Sequence, residues 1–402
     1  MVFANSRYDL STPVFDEWVA RMMPTLTEFR RQVHRNPELS FREVKTTERI
    51  MNHLRGAGMS PVACEGTGCY VDIGNGPFAL ALRADIDALG LVEENKLPYK
   101  SITPGVMHGC GHDAHTAVLL AVAEILAAHR ELIKGTVYFV FEQAEEFLPG
   151  GAVQLVKDGI MDKIDYMFAI HVDAENPVGT IDIEEGSRFA AVGTYDFKIT
   201  GKGGHGGFPH TANNPLLPIS HLISSLNLIP ALKCDPLANC TITVSYLHCG
   251  IDGVANVIPE KAVMGGCVRA LDTHLRDFMM SEVERLGRAV CAAYNCDIEV
   301  STVYGYPAVV NNGNCVALMA DAADELGITR LHVPPRLGAE DFSYFAEKKP
   351  SAIAWFGLAD PSGTHEPTPH HSPKFYLSDK DGLPLALMYM LTVYCKACER
   401  FH

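Results

Sequence analysis

Residues 107–117 read MHGCGHDAHTA, and the rest of the chain is best read outward from them. Cys110, His108, His112, His115 and Asp113 alternate there with Gly109 and Gly111. Thiolate, imidazole and carboxylate are the groups that bind borderline transition metals. Glycine lets the backbone turn tightly enough for neighbouring side chains to converge. Residues 116–129, TAVLLAVAEILAAH, follow as an Ala/Leu-rich run with the character of a buried helix. The pattern predicts a polar cluster on a loop that feeds an anchored helix.

Upstream, residues 15–59 read as two helices broken at Asn36-Pro37. Strand-like runs follow at 69–73 and 78–84, the second passing into RADIDAL with Asp85 and Asp87 at its carboxyl edge. Downstream come a strand at 135–141 (GTVYFVF), a helix at 151–158 and a strand at 166–171 (YMFAIH). This alternation predicts an α/β layered sheet with helices on both faces. Ligands in such sheets gather at the carboxyl ends of strands. Asp85, the EQAEE run with Glu145 and Glu146, and His171 all fall there.

The pattern changes near Arg188. Strand 194–201, helix 215–228, strands 241–247 and 262–271, helix 275–294 and strand 297–303 succeed one another. That β-α-β-β-α-β order is ferredoxin-like and can fold as an inserted unit. After Tyr304 the α/β style returns, with helix 315–326, strand 351–357 and helix 381–395. The expected division is 1–187 and 304–402 as two parts of one domain, interrupted by 188–303.

At 402 residues the chain exceeds one ordinary domain. Its 47% apolar and 20% charged residues suit a soluble globular protein. A net charge of -15 without a basic patch argues against nucleic-acid binding. No apolar run reaches membrane-span length, and the N-terminus lacks the order of a signal peptide. The 12 cysteines are scattered, many in apolar contexts, which suits free thiols in a cytoplasmic protein. Cys395 and Cys398 form a CxxC with no second pair, and helix packing is the expected role.

Four separated places offer metal ligands: Cys110 with His112, Glu145-Glu146, His171, and His371 in HHSPKF. A lone histidine after a strand is more often a hydrogen-bonded structural residue, and paired glutamates are more often a solvated face. Four such places at comparable strand ends argue for convergence.

The motifs RRQVHRNPEL, RADIDAL, MHGCGHDAHTA, EQAEE, AIHV, GKGGHGGFPH, GVANVIPE, GAEDFSYF and HHSPKF occur in that order across residues 24–393. Together they resemble peptidase family M20. More narrowly they resemble its amidohydrolase branch of N-acyl-amino-acid amidohydrolases, hippurate hydrolases and auxin-conjugate hydrolases. The resemblance implies a di-metal exopeptidase-like α/β catalytic domain, with the inserted ferredoxin-like unit as a lid and dimerisation domain. It implies that Cys110 bridges two divalent ions, that His112 and His171 complete one, and that Glu146 and His371 complete the other. Glu145 is then the general base that activates a metal-bridging water and passes its proton to the leaving amine. Zn²⁺ or Mn²⁺ suits this donor set, and Co²⁺ or Ni²⁺ is also admitted. Asp85 stands where the exopeptidase branches carry a ligand histidine, so Asp85, Asp87 and Asp113 become supporting residues around the ligands. The run EQAEE lacks the proline that the branch commonly shows, while Glu145 and Glu146 are intact.

From the inserted unit, the resemblance implies that His205 reaches the partner subunit's site in a homodimer, or in a tetramer of such dimers, and stabilises an oxyanion. Asn256 and Arg269 resemble substrate-binding positions, Arg269 as a carboxylate clamp. His210 and Glu340 are weaker candidates without an assigned step. The implied activity is amide hydrolysis of N-acyl or N-aroyl amino acids, an EC 3.5.1 reaction on linear amides. Three rivals stand beside it: a dipeptidase or carboxypeptidase of the same family, a cysteine nucleophile at Cys110 served by His112 or His115, and a non-catalytic metal-binding descendant.

Overall fold

A computed structural model describes residues 12–401, and they fall into two compact units. The first unit takes the described residues of Met1–Gly186, Val310–Pro334 and Tyr344–His402; the second takes Ser187–Val309 and Pro335–Ser343.

The first unit is built on an eight-stranded mixed sheet. At its centre Thr136–Glu142, Ala79–Asp85, Tyr166–Pro177 and Ser351–Ala359 lie side by side and parallel. Ala79–Asp85 is buried from its second residue onward and Ser351–Ala359 throughout, as expected of strands covered on both faces. Register brings the chemistry-bearing ends together. Asp85 pairs with Glu142, and Asp85 and His171 each lie two residues beyond the Arg83–Ala169 pair. The strand expected to end at His171 runs on to Pro177, because its parallel partner Ser351–Ala359 continues the ladder past Trp355.

Helices Thr12–Arg35, His112–Ala128 and Gly382–Phe401 pack on one another, and the last two also lie against central strands. The helix expected to begin after the polar cluster begins inside it, at His112. Gly111 takes φ 91°, and a Cβ there would fall 2.3 Å from Val172 Cγ2. Only glycine combines that left-handed turn with so close an approach, and the chain becomes helical directly after it. His112, Asp113 and His115 are therefore first-turn helical residues, all buried. Helix Val44–Gly56 takes an unusual cap: Glu38 Oε2 accepts from Thr46 N–H at 2.7 Å and Thr46 Oγ1 at 2.9 Å. Glu43, at the N-cap position, makes no cap bond with its side chain.

The second unit carries a four-stranded antiparallel sheet in the order Cys240–Cys249, Lys261–Ala270, Ala191–Thr200, Asp297–Tyr304. Helices Leu216–Asn227 and Thr273–Ala293 pack with it around Phe197, Leu222, Met264 and Val283. Its main elements run β-α-β-β-α-β. The helix expected at 215–228 ends at Asn227, and a short one follows at Ile229–Lys233. The stretch Pro335–Ser343 belongs to this unit too, although it lies in the segment where the α/β style resumes. Arg269 Nη1 donates to the Leu337 carbonyl at 2.6 Å, and Ala190 N–H donates to the Gly338 carbonyl at 2.8 Å.

Candidate metal centre

The carboxyl ends of the central strands and the start of helix His112–Ala128 bring together side chains distant in sequence. Two trios of donor atoms share the Cys110 sulfur: Cys110–His112–His171 and Cys110–Glu146–His371. A third group is His112–Glu145–Glu146. Within each group the donor atoms lie within 4.8 Å of one another. Cys110 Sγ stands 3.5 Å from His171 Nε2, and His371 Nε2 stands 3.1 Å from Glu146 Oε1.

Each histidine's orientation has a cause. His112 Nδ1 faces the Asp87 carboxylate and the Asp87 carbonyl, both at 3.0 Å. Its Nε2 is buried without a hydrogen-bond partner, with Asp85 Oδ2 at 3.7 Å and Glu146 Oε1 at 3.9 Å. His171 Nδ1 donates to the Val172 carbonyl at 2.9 Å, which turns Nε2 toward Cys110. Second-neighbour hydrogen bonds of this kind fix tautomer and ring direction in metal sites. Donors sharing one ion stand roughly 3–4 Å apart, because each bond is about 2.0–2.3 Å long. The orphaned Nε2 and the spacing around it fit a bound cation.

His115, in the same cluster by sequence, has both nitrogens engaged. Nδ1 meets Asp85 Oδ1 at 2.6 Å, and Nε2 accepts from Val172 N–H at 2.8 Å. It therefore supports Asp85 and the strand, and it has no lone pair left to serve Cys110 as a base. Asp113 also points elsewhere. Its Oδ2 accepts from Arg30 Nε at 2.9 Å and meets His34 Nδ1 at 2.8 Å. Asp113 thus ties helix His112–Ala128 to helix Thr12–Arg35 rather than bracing a donor, and Arg30 carries the link on to Asp379 in the loop before the last helix. Asp85 and Asp87 do brace His115 and His112.

The electrostatics favour a cation. Burial would lower the His112 pKa, but the Asp85 charge and the Asp87 hydrogen bond outweigh it and raise it to about 10. The carboxylates that hold a proton on that ring would equally hold a divalent ion in its place. Burial pushes the His171 pKa well down, leaving a neutral ring with a lone pair. Burial, then the Glu146, Glu145 and Asp85 charges, push the Cys110 thiol well above its ordinary range. An unassisted thiolate nucleophile is disfavoured there, since reactive cysteines need a lowered pKa. The hydrogen bond that His371 donates to the Glu146 carboxylate raises the His371 pKa.

Sequence reasoning passed over two residues. His370 Nδ1 lies 3.5 Å from Cys110 Sγ, so both members of the HH pair stand at the cluster. His371 takes φ 64°, and that turn sends the adjacent rings to different neighbours. The doubled histidine was the available signal, but spacing cannot divide roles between adjacent residues. Glu43 is the other; its carboxylate holds the backbone before Glu145.

In the second unit, His205 and Val257 pair on a two-stranded ribbon, and Gly206 N–H donates to the Asn256 carbonyl at 2.8 Å. His205 Nδ1 accepts from Gly207 N–H at 2.9 Å, which places its proton on Nε2. His205 is exposed and Arg269 half-buried.

The profile of "Peptidase family M20/M25/M40" matches residues 81–392. The N-acetylcysteine deacetylase of Bacillus subtilis (strain 168) is 34% identical over 369 residues, covering 90% of this chain and 94% of its own. The IAA-amino acid hydrolase ILR1-like 4 of Arabidopsis thaliana is 34% identical over 360 residues, covering 87% and 81%. Among solved structures, the Bacillus subtilis YXEP protein, described as a dinuclear metal binding peptidase from the M20 family, superposes with a TM-score of 0.81. It is 30% identical, with 95% of this chain and 99% of that one covered.

Proposed function

Because the chain belongs to peptidase family M20/M25/M40, we propose that it is a two-metal amidohydrolase that cleaves N-acyl or N-aroyl amino acids into a carboxylic acid and a free amino acid. The observation that carries this reading is the convergence of Cys110, His112, His171, Glu146 and His371 into two trios that share a sulfur. Relatives that act on N-acetylcysteine and on auxin conjugates support amide hydrolysis as the reaction class.

Cys110 would be shared between the two ions, with His112 and His171 holding one and Glu146 and His371 the other. Bound there, two divalent ions supply Lewis-acid polarisation of the scissile carbonyl and acidify water. Thiolate and imidazole favour Zn²⁺, and the carboxylate admits Mn²⁺. The residues of the chain do the rest. Asp87 and the Val172 carbonyl keep His112 Nε2 and His171 Nε2 aimed inward. Glu145, adjacent to a ligand and buried, takes the proton of the attacking water and returns it to the leaving nitrogen. His205, with its proton on Nε2, donates to the developing oxyanion from the partner subunit of a homodimer. Asn256 and Arg269 receive the amino-acid half, Arg269 through its guanidinium.

All 12 cysteines are free, which supports a reducing, cytoplasmic setting. No helix of the described residues is long and apolar enough to cross a membrane. The test is a panel of N-acetyl amino acids, N-benzoyl amino acids and dipeptides assayed with Zn²⁺, Mn²⁺ and Co²⁺. Metal-dependent release of free amino acid from the acylated substrates is expected. Turnover of dipeptides alone would move the chain to the peptidase side of the family. Turnover that survives chelation and dies with a thiol alkylator would restore the cysteine nucleophile.

A further inference from the structure

Beside Glu146 the first unit holds a cavity of about 430 Å³, lined among others by Leu39, Phe41, Leu89, Glu146 and Phe147. That volume lies within the roughly 300–1,000 Å³ of small-molecule pockets. Three of the apolar side chains face solvent: Leu39 is 42% exposed, Phe41 39% and Phe147 65%. The two phenylalanine rings meet edge to face, with centroids 6.5 Å apart. Adjacent aromatic and aliphatic groups left in water forgo burial energy that an apolar ligand filling the cavity would recover.

The backbone adds a second, independent observation. Phe41 takes φ 60°, a left-handed conformation that is rare for a bulky residue and costs on the order of 1–3 kcal/mol. The chain thus accepts strain at a residue whose ring it does not bury and which lines the cavity. The cavity wall is also pinned to the metal candidates. Ser40 Oγ donates to Asp87 Oδ2 at 2.6 Å, and the same oxygen accepts from Glu146 N–H at 3.0 Å. The other Asp87 oxygen holds His112. One carboxylate therefore fixes the wall, a proposed ligand's backbone and a proposed ligand's ring in a single register.

Resting on the amidohydrolase reading above, we propose that this cavity receives the acyl group of the substrate and selects for aromatic over short acyl chains. The apolar lining decides which half of the substrate enters. An N-acyl amino acid has one neutral end and one carboxylate end. Arg42 and Glu146 also line the cavity, one charge of each sign, so charge does not exclude a carboxylate, and it is the apolar wall that favours the neutral end. The neutral acyl end meets Phe41, Phe147, Leu39 and Leu89 and covers them. An aroyl ring fills the space between the two phenylalanines, whereas an acetyl group leaves it to water.

The experiment measures kcat/KM for N-benzoylalanine, N-acetylalanine and N-acetylphenylalanine with the metal-loaded enzyme and with Phe41→Ala, Phe147→Ala and the double variant. The benzoyl-to-acetyl ratio on alanine is expected to fall at least tenfold in the double variant. In parallel, saturation-transfer NMR of benzoylalanine with metal-free protein should show ring protons saturated in the wild type and weakened by Phe147→Ala. An unchanged benzoyl-to-acetyl ratio overturns the proposal, and so does a loss confined to N-acetylphenylalanine, which would place the amino-acid side chain in the cavity. Either result leaves the amidohydrolase reading standing. Failure of the wild type to hydrolyse any of the three removes that reading itself.

Discussion

Glu43 Oε1 accepts a hydrogen bond from the Ala144 N–H at 2.8 Å, although 101 residues separate them. Ala144 has φ 54° and immediately precedes Glu145 and Glu146. Thr67 Oγ1 lies 2.6 Å from Glu43 Oε2, and Thr67 N–H donates to Gln143 Oε1 at 2.5 Å. The left-handed turn that delivers both glutamates is thus held from helix Val44–Gly56 and from the loop before strand Cys69–Gly74. Strained backbone of this kind persists only where its surroundings over-determine it.

Burial, with the Asp87 charge adding to it, raises the Glu43 pKa from an ordinary 4.5 to about 7, against the hydrogen bonds from Thr67 and Ala144. A raised folded-state pKa means that the native protein holds the proton between those values while the unfolded chain has released it. The associated stability is present in full below pH 4.5 and is lost as pH rises through 7. Metal-free protein should therefore lose roughly 2–3 kcal/mol between pH 5 and 8 from this group. Glu43→Gln should match the wild type near pH 5 and exceed it at pH 8 in urea unfolding. Parallel pH profiles for the two proteins would refute this.

Asp87 orients His112 through Nδ1 and also accepts from Glu146 N–H. Asp87→Ala should weaken metal binding by about 10–100-fold, the usual effect of losing an outer partner. Competition against a chromophoric chelator measures it, and unaltered affinity would mean that the hydrogen bond does not set the ring's direction.

Gly111→Ala brings a Cβ to 2.3 Å from Val172 Cγ2 and 3.2 Å from Leu377 Cδ1, at φ 91°. Overpacking and left-handed strain together should cost about 2–4 kcal/mol of stability. Denaturant unfolding reads this directly. A loss below 0.5 kcal/mol, within the range of ordinary surface substitutions, would show that the turn can relax at little cost.

Glu145→Gln is isosteric but cannot take a proton. Turnover should fall by roughly 10²–10⁴-fold, the range of general acid–base catalysis, with metal content by elemental analysis unchanged. Near-normal turnover would remove Glu145 from the proton-transfer role.

His205→Ala and Glu145→Gln should each be impaired alone. Mixed under conditions that let subunits exchange, they should recover activity in heterodimers that pair an intact His205 with an intact Glu145. A mixture as inactive as its components would count against the histidine acting across subunits.

The sequence by itself determined the donor chemistry and the α/β character. Imidazole and carboxylate sit at the ends of apolar runs that read as strands, which became Ala79–Asp85, Thr136–Glu142 and Tyr166–Pro177, and the sulfur sits on a glycine-flanked loop before an apolar helix, His112–Ala128. It also carried the β-α-β-β-α-β succession, because hydrophobic periodicity is a local property. Tertiary structure alone decided which atoms are free. His112 and His115 are three residues apart on one helix, yet one keeps Nε2 open and the other has both nitrogens occupied. Asp113 turns to Arg30 and His34, while Asp87 turns to His112. Those partners come from strands and helices far along the chain. A side chain's lone pairs are assigned by whatever packs against it, and local sequence holds no record of that.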